Sequence, residues 1–199
     1  MSKNLKVIFA TGNIHKYEEA RSIALKHGIT LIYQKVERVE IQSEDLETIA
    51  IFSLAQLKPF LGNSIFMVED AGLFIDQLNG FPGPYSSYVY QTIGCKGIIR
   101  LLKGLPRPHK AVFKSIVALY VPKLGIRIFR GIVEGEVIEC ERGKKGFGFD
   151  PIFVPCENGR RTFAEMEIKD KNKISHRSRA FRQAFSFLNN LNISCEDNV

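Results

Sequence analysis

Apolar and polar positions alternate along the first part of the chain in a way that predicts strands and helices in turn. Short apolar runs are typical of buried strands, whereas apolar residues that recur every three or four positions indicate one face of a helix. Gly28 follows the first such helix as a stop signal, and Pro59 ends or bends the second. The pattern predicts strand 5–10, helix 17–27, strand 29–33, helix 46–61, and strands 64–68 and 73–78.

The middle of the chain has a different pattern, with β-rich runs and no helix between them. Two runs flank a turn at residues 122–125 and a third follows, which predicts an antiparallel meander. A closing helix is predicted from about Ser175, with apolar positions on one face, and the end of the chain reads as a frayed tail. We expect one α/β domain with a mixed sheet over residues 1–190 and a flexible tail at 191–199.

Composition limits the function classes without choosing among them. With 45% hydrophobic residues among 199, the chain can bury a core and is not predicted to be disordered. The 28 Lys and Arg residues exceed the 21 Asp and Glu residues, and the net charge of +7 indicates an anionic partner, nucleic acid or nucleotide, unless it serves solubility alone.

Cysteine spacing and hydropathy indicate where the protein acts. The four cysteines stand far apart without a CxxC pair, so neither a disulfide framework nor a zinc site is predicted. The first apolar run is too short for a signal peptide, and no segment is long enough for a membrane span. We therefore expect a soluble, cytoplasmic protein with reduced thiols.

The stretch Thr-Gly-Asn-Ile-His-Lys at residues 11–16 joins the first strand to the first helix. Gly12 permits a tight turn, Asn13 can cap the helix, and the exposed amides of the helix start form an anion site that Lys16 would reinforce. The GxxxxGK[ST] spacing of a P-loop is absent, so a capped helix that binds nothing remains the alternative.

Two adjacent acids, Glu69 and Asp70, are predicted at a strand end before a glycine turn. Neighbouring residues on an extended chain point to opposite faces, so at most one of them should face a given cleft. Such an acid is a candidate Mg²⁺ ligand or general base, although a solvated turn explains it as well. Glu40 is a further candidate whose local context says little.

Aromatic and basic residues cluster in three later stretches. Residues 79–91 combine two glycines and two prolines with three tyrosines, which predicts an irregular loop. Glycines on both sides of Phe147 allow close backbone approach to a ligand, while its ring and Asp150 could stack on and hydrogen-bond a base; a β-turn with core phenylalanines is the alternative. Residues 169–182 carry six Lys and Arg, typical of a solvated face, a phosphate clamp or a nucleic-acid contact.

Taken together, these stretches stand in the order TGNIHK, VEIQ, EDAGLFIDQLNGFPGPYSS, GFGFDPIF, FAEM and KNKISHR. In this order they resemble the inosine triphosphate pyrophosphatase family, which acts on non-canonical purine nucleotides. The resemblance covers nearly the whole chain, from about residue 6 to residue 188. It implies Mg²⁺-dependent hydrolysis of ITP, dITP and XTP to the monophosphate and pyrophosphate, a cytoplasmic homodimer, and an elongated mixed sheet with a cleft between two lobes.

The resemblance also implies roles for individual residues. Asp70 would be the proton acceptor for the attacking water, and Glu40 and Asp70 would hold the metal. Arg177 and His176 can donate to the O6 acceptor of hypoxanthine or xanthine, where adenine presents an amino donor. The substrate site implied by the matching positions comprises Thr11, Gly12, Asn13, Ile14, His15, Lys16, Ala71, Phe147, Gly148, Phe149, Asp150, Lys171, His176 and Arg177.

The chain departs from the family pattern at two positions. Phe52 stands where many members carry a lysine, and Lys58 is the next lysine downstream. Ala71 follows the acid where others have a hydroxyl residue, which leaves only a backbone N–H there. Two other functions stay open: a Maf-like pyrophosphatase acting on pyrimidine or modified nucleotides, and a non-catalytic basic protein that binds nucleic acid.

Overall fold

One mixed β-sheet organises the chain. The computed structural model describes residues 5–36, 39 and 41–191, apart from the side chain of residue 158. Within these residues the strands run in the order β2-β1-β3-β5-β6-β7, with β4 paired to β3. β1 is parallel to β2 and β3, whereas the other pairs are antiparallel. The strands are β1 Leu5–Ala10, β2 Ile29–Gln34, β3 Phe66–Ile75, β4 Pro82–Gly83, β5 His109–Val121, β6 Gly125–Val137 and β7 Phe153–Pro155.

Helices cover both faces of the sheet, as the hydrophobic clusters show. α1 and α6 pack on one face against residues such as Val7, Phe9 and Val117, and α2 packs on the other against Phe66 and Ala118. This arrangement confirms the predicted α/β class with a mixed sheet flanked by helices. The helices are α1 Ile14–Lys26, α2 Leu46–Leu61, α3 Ser86–Thr92, α4 Gly94–Leu102, α5 Ile168–Ile174 and α6 His176–Asn190.

Side-chain caps fix where the first two helices begin. The Asn13 carboxamide accepts hydrogen bonds from the backbone N–H groups of His15 and Lys16, so α1 begins at Ile14, three residues earlier than its apolar pattern predicted. Asp45 caps α2 in the same way, and α2 has the predicted bounds with Pro59 in its last turn.

The predicted turn between two strands at residues 69–72 is wrong. Phe66–Ile75 is one continuous strand, and all ten of its residues pair with β5. Gly72 serves a close approach between strands rather than a turn, because a Cβ there would lie 2.2 Å from the Gly83 carbonyl oxygen. Glu69 and Asp70 therefore lie inside the sheet and not at a strand end.

The meander is confirmed with one correction. β5 and β6 are both 13 residues long and meet at a turn around Gly125, and the third predicted run is the continuation of β6 to Val137. The loop predicted at 79–91 is also partly wrong, because α3 begins at Ser86. Almost all of the predicted tail lies outside the described residues, and the domain boundary and the two-lobed cleft stay predictions. No helix among the described residues is long and apolar enough to cross a membrane.

Candidate active site

A cavity of about 1250 Å³ brings together segments that are distant in the chain. Its wall contains the turn before α1, the middle of β3, the segment around α3, the loop before β7 and the start of α6. Lys171 does not line this cavity, and Glu40 lies outside the described residues. The predicted site residues in its wall are Thr11, Gly12, Asn13, Ile14, His15, Lys16, Asp70, Ala71, Phe147, Gly148, Phe149, Asp150, His176 and Arg177.

The turn before α1 is fixed by hydrogen bonds to two side chains. Thr11 Oγ1 accepts a hydrogen bond from the Asn13 N–H at 3.1 Å, and Asn13 in turn caps the helix. The first turn of this 13-residue helix contains no acidic side chain that would oppose a phosphate. The Lys16 ammonium lies 2.8 Å from a Glu69 carboxylate oxygen, so the expected phosphate-binding cation is already paired.

The two adjacent acids of β3 occupy different surroundings, as the alternation of an extended strand requires. Glu69 is 1% exposed and its carboxylate contacts Ser115, Arg177 and Lys16. Although burial alone raises the pKa of Glu69, the positive charges of Arg177 and Lys16 outweigh it and lower that pKa to about 2. Asp70 lines the cavity and accepts a hydrogen bond from the Ala71 N–H at 3.0 Å.

A buried ion-pair network reaches the cavity wall at Asp150 and Arg177. The Lys171 ammonium is 2.7 Å from Glu19 and 2.5 Å from Asp150, and the Arg177 guanidinium is 2.7 Å from Glu19. Burial lowers the pKa of Lys171, but the carboxylates of Asp150 and Glu19 outweigh it and raise that pKa. Together with Lys16 and Glu69, three cations are thus balanced by three carboxylates. Lys171 and Arg177 belong to this network and not to a solvated basic face.

Glu19 is the member of this network that the sequence patterns did not single out. Its position in α1 indicates that it is buried, because Glu19 shares the buried face of this helix with Ala20, Ile23 and Ala24. An acid on the apolar face of a helix must be paired when it is buried, and Glu19 has both Lys171 and Arg177 as partners.

Phe147 is held in a loop whose shape depends on Asp150. The Asp150 carboxylate accepts a hydrogen bond from the Phe147 N–H at 2.9 Å, and a Cβ at Gly146 would lie 2.0 Å from the same oxygen. The Phe147 ring stacks on His15 at 5.6 Å between centroids, with the Lys171 ammonium 5.1 Å from its centre. Asp150 therefore shapes the loop and pairs with Lys171.

His176 lies in the cavity wall as a neutral side chain. It is 2% exposed and its ring stacks on Phe113 at 4.5 Å with an angle of 6°. Burial, together with the nearby charges of Arg177 and Lys171, lowers its pKa well below the usual value. A neutral imidazole has one N–H donor, and Nδ1 has no hydrogen-bond partner among the described residues.

The segment around α3 forms a side of the cavity that the sequence patterns did not predict as helical. Tyr85, Tyr88 and Tyr90 are in the lining, and each is at least 40% exposed. Ser86 ties this segment to β3, because its hydroxyl donates to the Gly83 carbonyl at 2.7 Å and accepts from the Leu73 N–H at 2.8 Å.

Phe52 stands on α2 where many family members carry a lysine, and neither Phe52 nor Lys58, the next lysine along this helix, lines the cavity. Phe52 is 38% exposed, and the Lys58 ammonium lies 5.3 Å from the centre of the Tyr120 ring. In this arrangement Lys58 does not take the place of the lysine expected at Phe52. Of the predicted phosphate-binding lysines, only Lys16 is in the cavity wall.

The oxygen donors of the cavity suit a hard cation that is shared with a ligand. Asp70 contributes a carboxylate, and the described residues contain no group of three or more His, Cys, Asp or Glu that would enclose a metal alone. Mg²⁺ is commonly held by one or two carboxylates together with substrate phosphates and water. The residues present are compatible with that mode of binding.

The chain is similar to proteins of known family along most of its length. Residues 7–187 match the model of the Ham1 family. The chain is 46% identical to the dITP/XTP pyrophosphatase of Methanopyrus kandleri, over 90% of this chain and 94% of that protein. It is 42% identical to the dITP/XTP pyrophosphatase of Pyrococcus horikoshii, over 92% and 97%. The solved structure of a HAM1 protein from Coxiella burnetii has a TM-score of 0.78 at 28% identity, over 92% of this chain and 98% of that one.

Proposed function

The chain belongs to the Ham1 family, and on that premise we propose that it hydrolyses the non-canonical purine nucleoside triphosphates ITP, dITP and XTP to the nucleoside monophosphate and pyrophosphate. The observation that carries the proposal is the single cavity in which the start of α1 with Lys16, the Asp70 carboxylate and the side chains of His176 and Arg177 meet. Relatives named dITP/XTP pyrophosphatase at 42–46% identity support the choice of substrate.

In the proposed reaction a water oxygen attacks the α-phosphorus, and the bond from that phosphorus to the bridging oxygen of pyrophosphate breaks. Asp70 accepts the proton that the water loses, and the pyrophosphate leaves with the bridging electron pair. The Gly12 and Ile14 amides, which neither the Asn13 cap nor Thr11 uses, bind the phosphates together with Lys16. Mg²⁺, held by Asp70 and Glu40, would neutralise charge on the phosphate oxygens.

Selection of the base follows from the donors at the start of α6. The Arg177 guanidinium donates hydrogen bonds, and a neutral His176 supplies one N–H. Hypoxanthine and xanthine present the O6 acceptor to such donors, whereas adenine would bring its amino group against them. A buried donor left without an acceptor is costly, so ATP should be a poor substrate.

The two alternative functions have less support. A nucleic-acid-binding protein would use the basic stretch at residues 169–182, but Lys171 and Arg177 there are 2% and 3% exposed and paired with acids. A Maf-like enzyme would prefer pyrimidine or modified nucleotides, whereas the named relatives are purine triphosphate pyrophosphatases. The homodimer and the cytoplasmic location are part of the proposal and rest on the family resemblance.

A nucleotide panel with Mg²⁺ tests the proposal. We expect pyrophosphate release from ITP, dITP and XTP with kcat/KM far above that for ATP and dUTP. Asp70→Asn should bind ITP but lose nearly all turnover, and Asp76→Asn is the matched control because that exposed acid follows the same strand. A preference for dUTP, release of orthophosphate instead of pyrophosphate, or near-native turnover by Asp70→Asn would contradict it.

A further inference from the structure

Glu69 connects two cations of the cavity wall that come from different helices. One of its carboxylate oxygens, Oε2, is 2.8 Å from the Lys16 ammonium. The other, Oε1, accepts a hydrogen bond from Arg177 Nε at 3.0 Å. One fully buried carboxylate thus joins the cation at the phosphate-binding turn to the cation at the start of α6.

Ser115 holds the same carboxylate from the neighbouring strand. Its hydroxyl is buried and donates to Glu69 Oε1 at 2.6 Å. In the register of β3 and β5, Ser115 pairs with Ala71 and Glu69 pairs with Val117, so the two side chains are diagonal neighbours on one face of the sheet. Ser115 does not line the cavity, and the side chain that its hydroxyl contacts among the described residues is Glu69.

The donors of Arg177 are divided between two acids. Nη1 contacts Glu19 and Nε contacts Glu69, which leaves Nη2 as the nitrogen without a carboxylate partner among the described residues. Two fixed nitrogens determine the plane of the guanidinium and hence the position of the third. The orientation of Arg177 therefore depends on Glu69 Oε1 and on the serine that holds this oxygen.

We propose that Glu69 and Ser115 are positioning residues, with Glu69 fixing Lys16 toward the phosphates and the Ser115–Glu69 contact fixing Arg177 toward the base. The proposal rests on the proposed function for what the two cations contact. It assigns Glu69 a part that is separate from that of its neighbour Asp70. It also predicts different effects for the two residues, because Lys16 and Arg177 use different carboxylate oxygens.

Glu69→Gln tests the Lys16 half. All the described partners of Glu69 are donors, and the amide has only one acceptor oxygen, so its NH₂ group must face a donor. Ser115 and Arg177 share Oε1, and we expect the amide oxygen to stay with them and the NH₂ group to displace Lys16. We expect kcat/KM to fall at least tenfold for ITP, while the ITP to ATP ratio changes less than threefold.

Ser115→Ala tests the Arg177 half. Loss of the hydroxyl frees Glu69 Oε1, so we expect the ITP to ATP ratio of kcat/KM to fall at least threefold, with a smaller change for ATP alone. Ser115→Thr, which restores a hydroxyl, should recover the ratio. Glu139→Gln is the control for the loss of negative charge in Glu69→Gln, because Glu139 also pairs with an arginine but does not line the cavity.

Each outcome decides the proposal. An unchanged ratio in Ser115→Ala would overturn the Arg177 half. A higher kcat/KM for ITP in Glu69→Gln would overturn the Lys16 half, because the removal of a negative charge near the phosphates would then matter more than the positioning of Lys16. Crystal structures of the two variants without nucleotide give a readout that is independent of turnover. Lys16 and Arg177 in unshifted positions in these structures would refute the positioning roles. If the unmutated protein had no activity on ITP, only the proposed function would be refuted.

Discussion

Gly131 on β6 sets how closely the start of α6 approaches the sheet. A Cβ at this position would lie 1.9 Å from the His176 carbonyl oxygen and 2.7 Å from the Ala180 nitrogen. Both neighbours are backbone atoms of one helix, which cannot yield by rotating a side chain. Because contacts under 3.0 Å are not tolerated, Gly131→Ala must push the start of α6 away by about 1 Å.

This displacement should reduce both stability and activity. Overpacking a closely packed site costs about 1–3 kcal/mol. His176 and Arg177 are the first two residues of α6, so they move with its start. A misplacement of about 1 Å in a site that positions a substrate can cost about 10²-fold in rate. We therefore expect kcat/KM for ITP to fall about 10²-fold in Gly131→Ala. We expect a smaller fall for ATP, so that most of the loss appears as a lower ITP to ATP ratio of kcat/KM.

Urea unfolding and steady-state kinetics measure the two effects separately. Gly125→Ala is the control: this glycine has φ +75° and no atom lies within 4 Å of the place that a Cβ would take, so the change strains the backbone by about 1–2 kcal/mol without moving α6. The control should lose stability and keep its activity. If Gly131→Ala lost stability to the same extent and kept native kcat/KM, the position of α6 would not determine the site.

Three other predictions concern charge. Glu69 has a pKa of about 2 against an ordinary 4.5, so its ionisation contributes about 3 kcal/mol to the free energy of unfolding above pH 4.5, and this contribution is lost as the pH falls toward 2. The lowered pKa of His176 costs further stability below pH 6.5, where the unfolded chain binds a proton that the folded protein does not. Urea unfolding midpoints measured from pH 7 to 3 should show both effects. Lys171→Met leaves buried acids unpaired and should cost about 3–5 kcal/mol in urea unfolding, whereas exposed Lys173→Met should change it by less than about 1 kcal/mol. Lys58→Ala should keep its KM for ITP within about twofold, and a larger rise would show that Lys58 reaches the phosphates.

Local signals in the sequence predicted the regular part of the fold well. The bounds of α2 follow from the Asp45 cap and a long apolar pattern, and β1 is a short apolar run between polar residues. The start of α1 was missed by three residues because Asn13 begins the helix ahead of its apolar face. Short helices such as α3 lack a full period of apolar positions, so the tyrosine-rich segment was predicted to be a loop.

Contacts between distant segments could not be predicted from local patterns. Residues 69–72 resemble a turn because Gly72 closely follows two adjacent acids, yet β5 pairs with every one of these residues. Glu19 and Lys171 are 152 positions apart in the chain, and only the packing of α1 against α5 and α6 brings them together. The family motifs predicted the members of the site except Glu19, and the packing of α1, α5 and α6 against the sheet determines how their charges pair.

The alternation of β3 also decides which of its two adjacent acids suits a general base. Both oxygens of Glu69 face donors, and a pKa of about 2 makes its carboxylate a weak proton acceptor at neutral pH. Asp70, one residue along the strand, lies in the wall of the cavity where water and phosphates would meet. In the proposed mechanism, the two adjacent acids therefore have separate roles: Glu69 orients cations, and Asp70 accepts a proton. Asp70→Asn should therefore abolish turnover, while Glu69→Gln should leave a slow enzyme with native chemistry.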